Sequence, residues 1–268
     1  MPASPAGLAF FLDVDGTLID IAPTPDGVVV PPDLPETLAA LAMAVEGAVA
    51  IVSGRAIISL DGLLGPSTLV KAGLHGGELR RSDGAMEAMS APPALELLRP
   101  LLTALVDRWP GTMLEDKGAA IAVHYRGNPA AEPDVLQTVE GMLPLAEGTV
   151  AAQRGKMVIE LKPATAGKGN VVRRLMAEPP FAGRRPVAIG DDITDEAMFA
   201  VANAMGGLSI RVGSDGRPTE ARQVLPDTAS LRAWVAALGH VAAPLAPGAE
   251  SAMVDHPPPA SSRRKGMP

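Results

Sequence analysis

The apolar positions of the chain follow two rhythms. Short, largely apolar runs at Leu8 to Leu12, Ala48 to Val52, Leu69 to Ala72 and Pro186 to Ile189 each end at small or polar residues. Such runs are typical of strands buried on both faces of a parallel sheet. A fifth is expected at Leu208 to Val212. Between them, apolar residues recur at helical spacing over Pro32 to Val45, Ile57 to Leu64 and Lys168 to Met176. Asp33 reads as the N-cap of the first helix, with Glu36 completing a capping box. Strands alternating with helices predict an α/β fold, a Rossmann-like parallel sheet wrapped on both faces. Ligands of such folds bind beyond the carboxyl ends of the strands, so the residues just after each strand carry the interest.

The middle of the chain changes rhythm. Ala94 to Arg108 is helical, with a kink expected at Pro100. Met113 to Lys117 and Ala119 to Tyr125 read as a hairpin about Gly118. Glu132 to Leu143 is helical again, and Thr149 to Gln153 with Met157 to Leu161 reads as a second hairpin about Arg154-Gly155. Helix and hairpin twice over predict an antiparallel sheet with helices on one face. It is expected as an inserted α+β domain over residues 84–161, within a core of 1–83 and 162–242. From Ala243 to residue 268 the chain is rich in Pro, Ala and Ser without periodicity and is expected to be a disordered tail.

Composition narrows the function classes. With 47% hydrophobic residues among 268, a sizeable core can form. There is no Cys, which removes disulfides, thiolate metal sites and cysteine nucleophiles and fits a cytoplasmic setting. The net charge of −7 argues against a general nucleic-acid binder. No apolar stretch reaches the roughly 20 residues of a membrane span, and the N-terminus lacks the basic start of a secretory signal. A small-molecule substrate and a monomer are expected.

Four places carry chemistry. Asp13-Val14-Asp15-Gly16-Thr17-Leu18 follows the first strand. Two carboxylates at the end of a buried strand are costly unless a cation compensates them, and Mg²⁺ prefers such oxygen ligands. Ser53-Gly54-Arg55 follows the second strand, where a hydroxyl at a helix start can hold a phosphate oxygen; Arg55 can add charge or pair with a carboxylate. Lys168 is expected in the first turn of a helix, where the dipole disfavours a cation, so a partner anion is implied. Gly190-Asp191-Asp192-Ile193-Thr194-Asp195-Glu196 places four acids in six residues after a strand; Asp191 and Asp195, four apart, share a face if helical. Together these describe one pocket of carboxylates, metal, hydroxyl and lysine, suited to phosphoryl transfer.

These motifs resemble the haloacid dehalogenase superfamily of aspartate-nucleophile phosphatases and, within it, the trehalose-6-phosphate phosphatases. The finer likeness rests on Asp13 to Asp26, Gly73 to Glu78, His124-Tyr125-Arg126, Lys156 to Pro163, Gly167-Lys168-Gly169 and the acidic run from Gly190. The resemblance implies a Mg²⁺-dependent hydrolysis of trehalose 6-phosphate in trehalose biosynthesis. Asp13 would be the nucleophile and Asp15 the general acid and base. Asp13, the backbone carbonyl of Asp15 and Asp191 would bind the metal. Asp192 and Asp195 would act through metal-bound waters or by orienting neighbours. Ser53 would bind a phosphate oxygen, and Lys168 would stabilise the transition state. The inserted segment would be a cap that reads the sugar through Glu115, Lys117, Arg126, Lys156 and Glu160, with Arg55, His75 and Gly76 contacting substrate from the core. His124 reads as a structural histidine, and Lys162 stands where related chains often carry Arg. Other substrates stay open at this level: sucrose phosphate, mannosyl-glycerate phosphate, a phosphomutase reaction, or a non-catalytic sugar-phosphate sensor.

Overall fold

In a computed structural model, residues 1–22, 27–65, 67–155 and 157–241 are described. The expected tail from 243 onward and Lys156 lie outside them. Along the chain run β1 (Leu8–Leu12), α1 (Leu34–Ala44), β2 (Val49–Val52), α2 (Ile57–Leu64), β3 (Val70–Gly73), β4 (Glu78–Arg80) and β5 (Met86–Ala88). There follow α3 (Pro93–Arg108), β6 (Met113–Asp116), β7 (Ile121–His124), α4 (Glu132–Met142), β8 (Val150–Gly155) and β9 (Val158–Pro163). The chain then forms α5 (Lys168–Leu175), β10 (Arg185–Gly190), α6 (Glu196–Ala204), β11 (Leu208–Val212), β12 (Gln223–Leu225) and α7 (Thr228–Val241).

β1, Leu-Ala-Phe-Phe-Leu, is buried along its whole length. Its adjacent aromatic residues point to opposite faces of the sheet: Phe10 packs on Trp234 of α7, and Phe11 on Phe181. The large sheet has the order β12-β11-β10-β1-β2-β3-β4-β5, parallel from β12 to β3 and antiparallel at β4 and β5. The second sheet, β6-β7-β9-β8, is antiparallel throughout. Each sheet has its own apolar cluster. The larger joins β1, β2 and β10 to α1, α5, α6 and α7. The smaller joins α3 and α4 to Ile121, Val123, Ile159 and Leu161 on one face of the second sheet. The α/β core with an α+β unit inserted in it is therefore the fold.

Several local expectations need correction. Asp33 occupies the N-cap position of α1 but already has helical angles and its carboxylate caps nothing; Pro35, second in the helix, helps to set its first turn instead. The second hairpin does not turn about Arg154-Gly155, because β8 continues through both and Gly155 faces Val158. Met86–Ala88, which the sequence did not mark as a strand, pairs with Glu78–Arg80 at the edge of the large sheet. Strand β9 runs to Pro163, two residues beyond the expected strand end at Leu161.

Candidate active site

The strand order explains why distant motifs meet. β10, β1, β2 and β3 are parallel neighbours, so Asp191, Asp13, Ser53 and the Leu74–Gly76 turn all emerge at the same edge of the sheet. Asp13 follows β1, and its N–H donates to the Ile189 carbonyl of β10 at 3.0 Å. Gly16 has φ +78°, and a Cβ there would sit 2.2 Å from Asp191 Oδ2. A side chain at 16 would thus both strain the turn and displace the carboxylate.

Lys168, the first residue of α5, is 4% exposed. Its Nζ donates to Asp13 Oδ1 and to Asp195 Oδ1, each at 2.7 Å. This is the partner anion that a lysine in a first helical turn calls for. The other oxygen of Asp195 accepts the N–H groups of Asp191 and Asp192, at 3.1 and 3.0 Å. Asp191 and Asp195 therefore meet by a fold-back turn rather than on a shared helix face; α6 begins only at Glu196. Thr17 Oγ1 donates to Asp191 Oδ1 at 3.0 Å and lies 3.3 Å from Asp13 Oδ2. Sequence reasoning gave Thr17 no role, although it lies inside the first motif.

One oxygen from each of Asp13, Asp191 and Asp195 lies within 4.8 Å of the others, a hard-oxygen set that suits a divalent cation such as Mg²⁺. Burial pushes the Asp13 carboxyl well above its usual range; Lys168 pulls against the shift, and Asp195 and Asp191 add to it. Asp191 is pushed up to about 6, mainly by burial and then by Asp195. Burial alone would lower Lys168, but the Asp13 and Asp195 charges outweigh it and hold the ammonium charged. Protons and a cation thus compete for the same oxygens. The gain in melting temperature on adding Mg²⁺ is expected to be small near pH 4 and to grow as pH rises through about 6, where Asp191 loses its proton. His75 works the other way in the metal-free protein: burial, with Lys162, Lys168 and Lys117 nearby, pushes it down to about 2, which favours the folded state as pH rises. Only the difference between metal-loaded and metal-free melting curves isolates the carboxylates. A gain that shrinks with rising pH would contradict the metal assignment.

Asp15 and Asp13 are held by different cations. The Asp15 carboxylate accepts a bidentate pair from Arg55, Nε at 2.6 Å and NH2 at 2.7 Å; its carboxylate is not part of the acidic cluster. Ser53 is buried and its Oγ accepts the Arg55 N–H at 3.2 Å. It does not start the helix, because α2 begins only at Ile57, after an extended Ala56. That N-terminus is held instead by Glu78, whose Oε2 accepts the Ile57 N–H at 2.8 Å. Asp192 is turned away from the cluster: its Oδ1 accepts the Ile193 N–H at 2.6 Å and faces Arg217 at 3.5 Å.

The second sheet faces this edge with a row of paired charges. Lys117 Nζ donates to Glu160 Oε1 at 2.8 Å, and Glu115 Oε2 meets His124 Nε2 at 2.8 Å. His124 thus anchors Glu115 rather than only filling space. Glu160 Oε2 lies 3.9 Å from His75 Nε2; with the imidazole neutral this is a polar contact, not an ion pair. His75 and Leu74 both have positive φ, and the His75 N–H donates to the Ser53 carbonyl at 2.8 Å. A Cβ on Gly54 would come within 2.8 Å of the imidazole. Gly76 packs on Val171 of α5, beside Lys168. A cleft of about 1020 Å³ opens between the two units, lined by Asp15, Gly54, Arg55, Glu78, Glu115, Lys117 and Arg126 among others. No helix among the described residues is long and apolar enough to cross a membrane.

A family model described as trehalose-phosphatase matches residues 11–228. A probable trehalose-phosphate phosphatase of Sinorhizobium fredii is 46% identical over 230 residues, 86% of this chain and 87% of the relative. The trehalose-6-phosphate phosphatase of Escherichia coli is 40% identical over 235 residues, 87% of each chain. Among solved structures, the trehalose-6-phosphate phosphatase of Aspergillus fumigatus superposes with a TM-score of 0.70 at 27% identity, covering 87% of this chain and 93% of that one.

Proposed function

Because the chain belongs to the trehalose-phosphatase family and is a phosphatase on a haloacid dehalogenase core with a cap, we propose that it hydrolyses trehalose 6-phosphate to trehalose and phosphate through Asp13. The observation that carries this reading is Lys168 set between Asp13 and Asp195 beneath the charged face of the second sheet. An Asp13 oxygen attacks phosphorus, the bond to the sugar O6 breaks, and Asp15 gives the departing oxygen a proton. Asp15 then takes a proton from the water that cleaves the aspartyl-phosphate, which releases phosphate and regenerates Asp13. To do so Asp15 turns from the Arg55 guanidinium to the leaving oxygen.

Asp13 and Asp191 have oxygens to offer a Mg²⁺ ion, with the Asp15 carbonyl as a further ligand; Asp195 is occupied by Lys168 and two N–H groups and orients them. Mg²⁺, when bound, neutralises charge between Asp13 and the entering phosphate. Ser53 takes a phosphate oxygen and Lys168 steadies the charge that develops. Glu115, Lys117, Arg126 and Glu160 read the sugar hydroxyls, and the inserted unit, residues 84–161, acts as the closing cap that excludes water. The proposed form is a cytoplasmic monomer.

A panel of sugar phosphates, scored by kcat/KM for phosphate release with and without Mg²⁺, tests the reading. Trehalose 6-phosphate is expected to exceed sucrose phosphate and mannosyl-glycerate phosphate by about a hundredfold or more, as hydrogen-bonded sites that reject wrong hydroxyl patterns do. Chelation is expected to abolish turnover. Equal rates across the panel, or turnover unaffected by chelation, would overturn it.

A further inference from the structure

Lys162 is a buried lysine for which the mechanism above has no use. It lies on β9 two residues after Glu160, so the two share a sheet face. Ile159 and Leu161, on either side of Glu160, point the other way, into the apolar cluster with α3 and α4. Glu160 shows what this face meets, since its carboxylate comes within 3.9 Å of His75 in the core. Lys162 is only 4% exposed, although no helix of its own unit covers that face. Its ammonium has three N–H groups to satisfy. Among the described residues one acceptor takes it, the side-chain oxygen of Gln153 on the neighbouring strand β8. The nearby carboxylate, Glu160, is already engaged by Lys117. A buried ammonium with most of its donors unfilled is costly; besides Glu160, the groups that act on it are the cations Lys168 and Lys117, with an uncharged His75 close by. His75 Nδ1 is likewise buried without a partner. Cations gathered at the seam above the nucleophile fit an arriving anion.

We infer that Lys162 is a further substrate-binding residue, whose ammonium, carried on the cap strand, binds the phosphate end of the substrate opposite Lys168. The inference rests on the cleft being a phosphate-monoester site and not on which sugar enters it. Burial, with Lys168 and Lys117 close by and Glu160 opposing them, pushes the Lys162 ammonium down to about 8. In the unliganded protein it is therefore a cation that an anion can recruit. Of the groups around it, Lys168 is held charged by its own carboxylates, His75 is neutral, and Lys117 and Glu160 pair with each other.

The test uses the Mg²⁺-loaded full chain and inorganic phosphate as probe. Lys162→Met is expected to weaken phosphate binding at pH 7 by about tenfold, the loss of one charge-assisted hydrogen bond. KM for the sugar phosphate should rise by a similar factor and kcat should change far less. The melting temperature should not fall, since the methionine removes an under-satisfied buried charge. A purely structural lysine would do the reverse, losing melting temperature with phosphate affinity intact, and that result would overturn the inference. Lys162→Arg, which keeps the charge, covers the case of a methionine variant that does not fold. Wild-type phosphate affinity is expected to decline above about pH 8, where Lys162 loses its proton. The arginine variant should stay flat over the same range, and identical profiles would overturn the inference. Because the probe is phosphate, a negative sugar-phosphate panel leaves this readout intact.

Discussion

Asp13→Asn is expected to abolish phosphate release while leaving the protein folded and no less stable. An amide oxygen cannot form the acyl-phosphate, so kcat should fall by roughly a thousandfold or more, the scale on which loss of a nucleophile is felt. The stability side follows from burial. Asp13 is 5% exposed and shares its surroundings with Asp191 and Asp195, which together raise its carboxyl well above the ordinary range. Asparagine removes one of these crowded anions and still offers an oxygen to Lys168, which keeps Asp195 as its charged partner. The metal-free melting temperature at pH 7 should therefore stay level or rise, measured beside single-turnover phosphate release. Appreciable residual turnover would remove Asp13 as nucleophile, and a large drop in melting temperature would show that its charge is structural.

Lys168→Met should lose activity and stability together. The ammonium is the shared partner of two buried carboxylates at 2.7 Å. Removing it leaves Asp13 and Asp195 without a cation in a site where Asp191 is already pushed upward. Breaking a buried ion pair from one side costs about 3–5 kcal/mol, and loss of the charge facing the transferred phosphoryl group costs about two to three orders of magnitude in kcat. Added Mg²⁺ should restore part of the melting temperature but little of the rate. The two variants thus move stability in opposite directions while both lose turnover. If Lys168→Met melted like the wild type, the carboxylates would have to be neutralised by something other than this lysine.

The parts legible in the sequence were those where one physical demand dominates. β1 falls at the expected residues because a strand buried on both faces needs an unbroken apolar run. Asp13, Lys168 and Asp191 stood out because each is a charge at the end of a buried strand or in the wrong turn of a helix. Strands β4, β5 and β12, three residues each and partly exposed, carry no such demand. Ser53 was expected at a helix start because Ser-Gly-Arg reads as one, whereas Glu78, reaching in from a strand the sequence did not signal, caps α2. Cap pairings such as Lys117 with Glu160, 43 positions apart, depend on the β7–β9 register, which only the folded sheet fixes. Lys162 stood out only as a lysine where related chains often carry Arg and was given no role, because a lysine near the end of a strand looks solvated until the other unit covers it.

The placement of β1 between β2 and β10 has a consequence for how the chain is assembled on the ribosome. β2 and β3 emerge soon after β1, but β10 begins only at Arg185, after the whole smaller unit has been made. That unit closes its own apolar cluster with Leu161, so it can condense while the larger sheet is unfinished. Until then the central strand presents an unpaired, wholly apolar edge, the kind that attracts stray strands. Synthesis that stalls between residues 163 and 185 would therefore leave a folded cap attached to an aggregation-prone half-sheet.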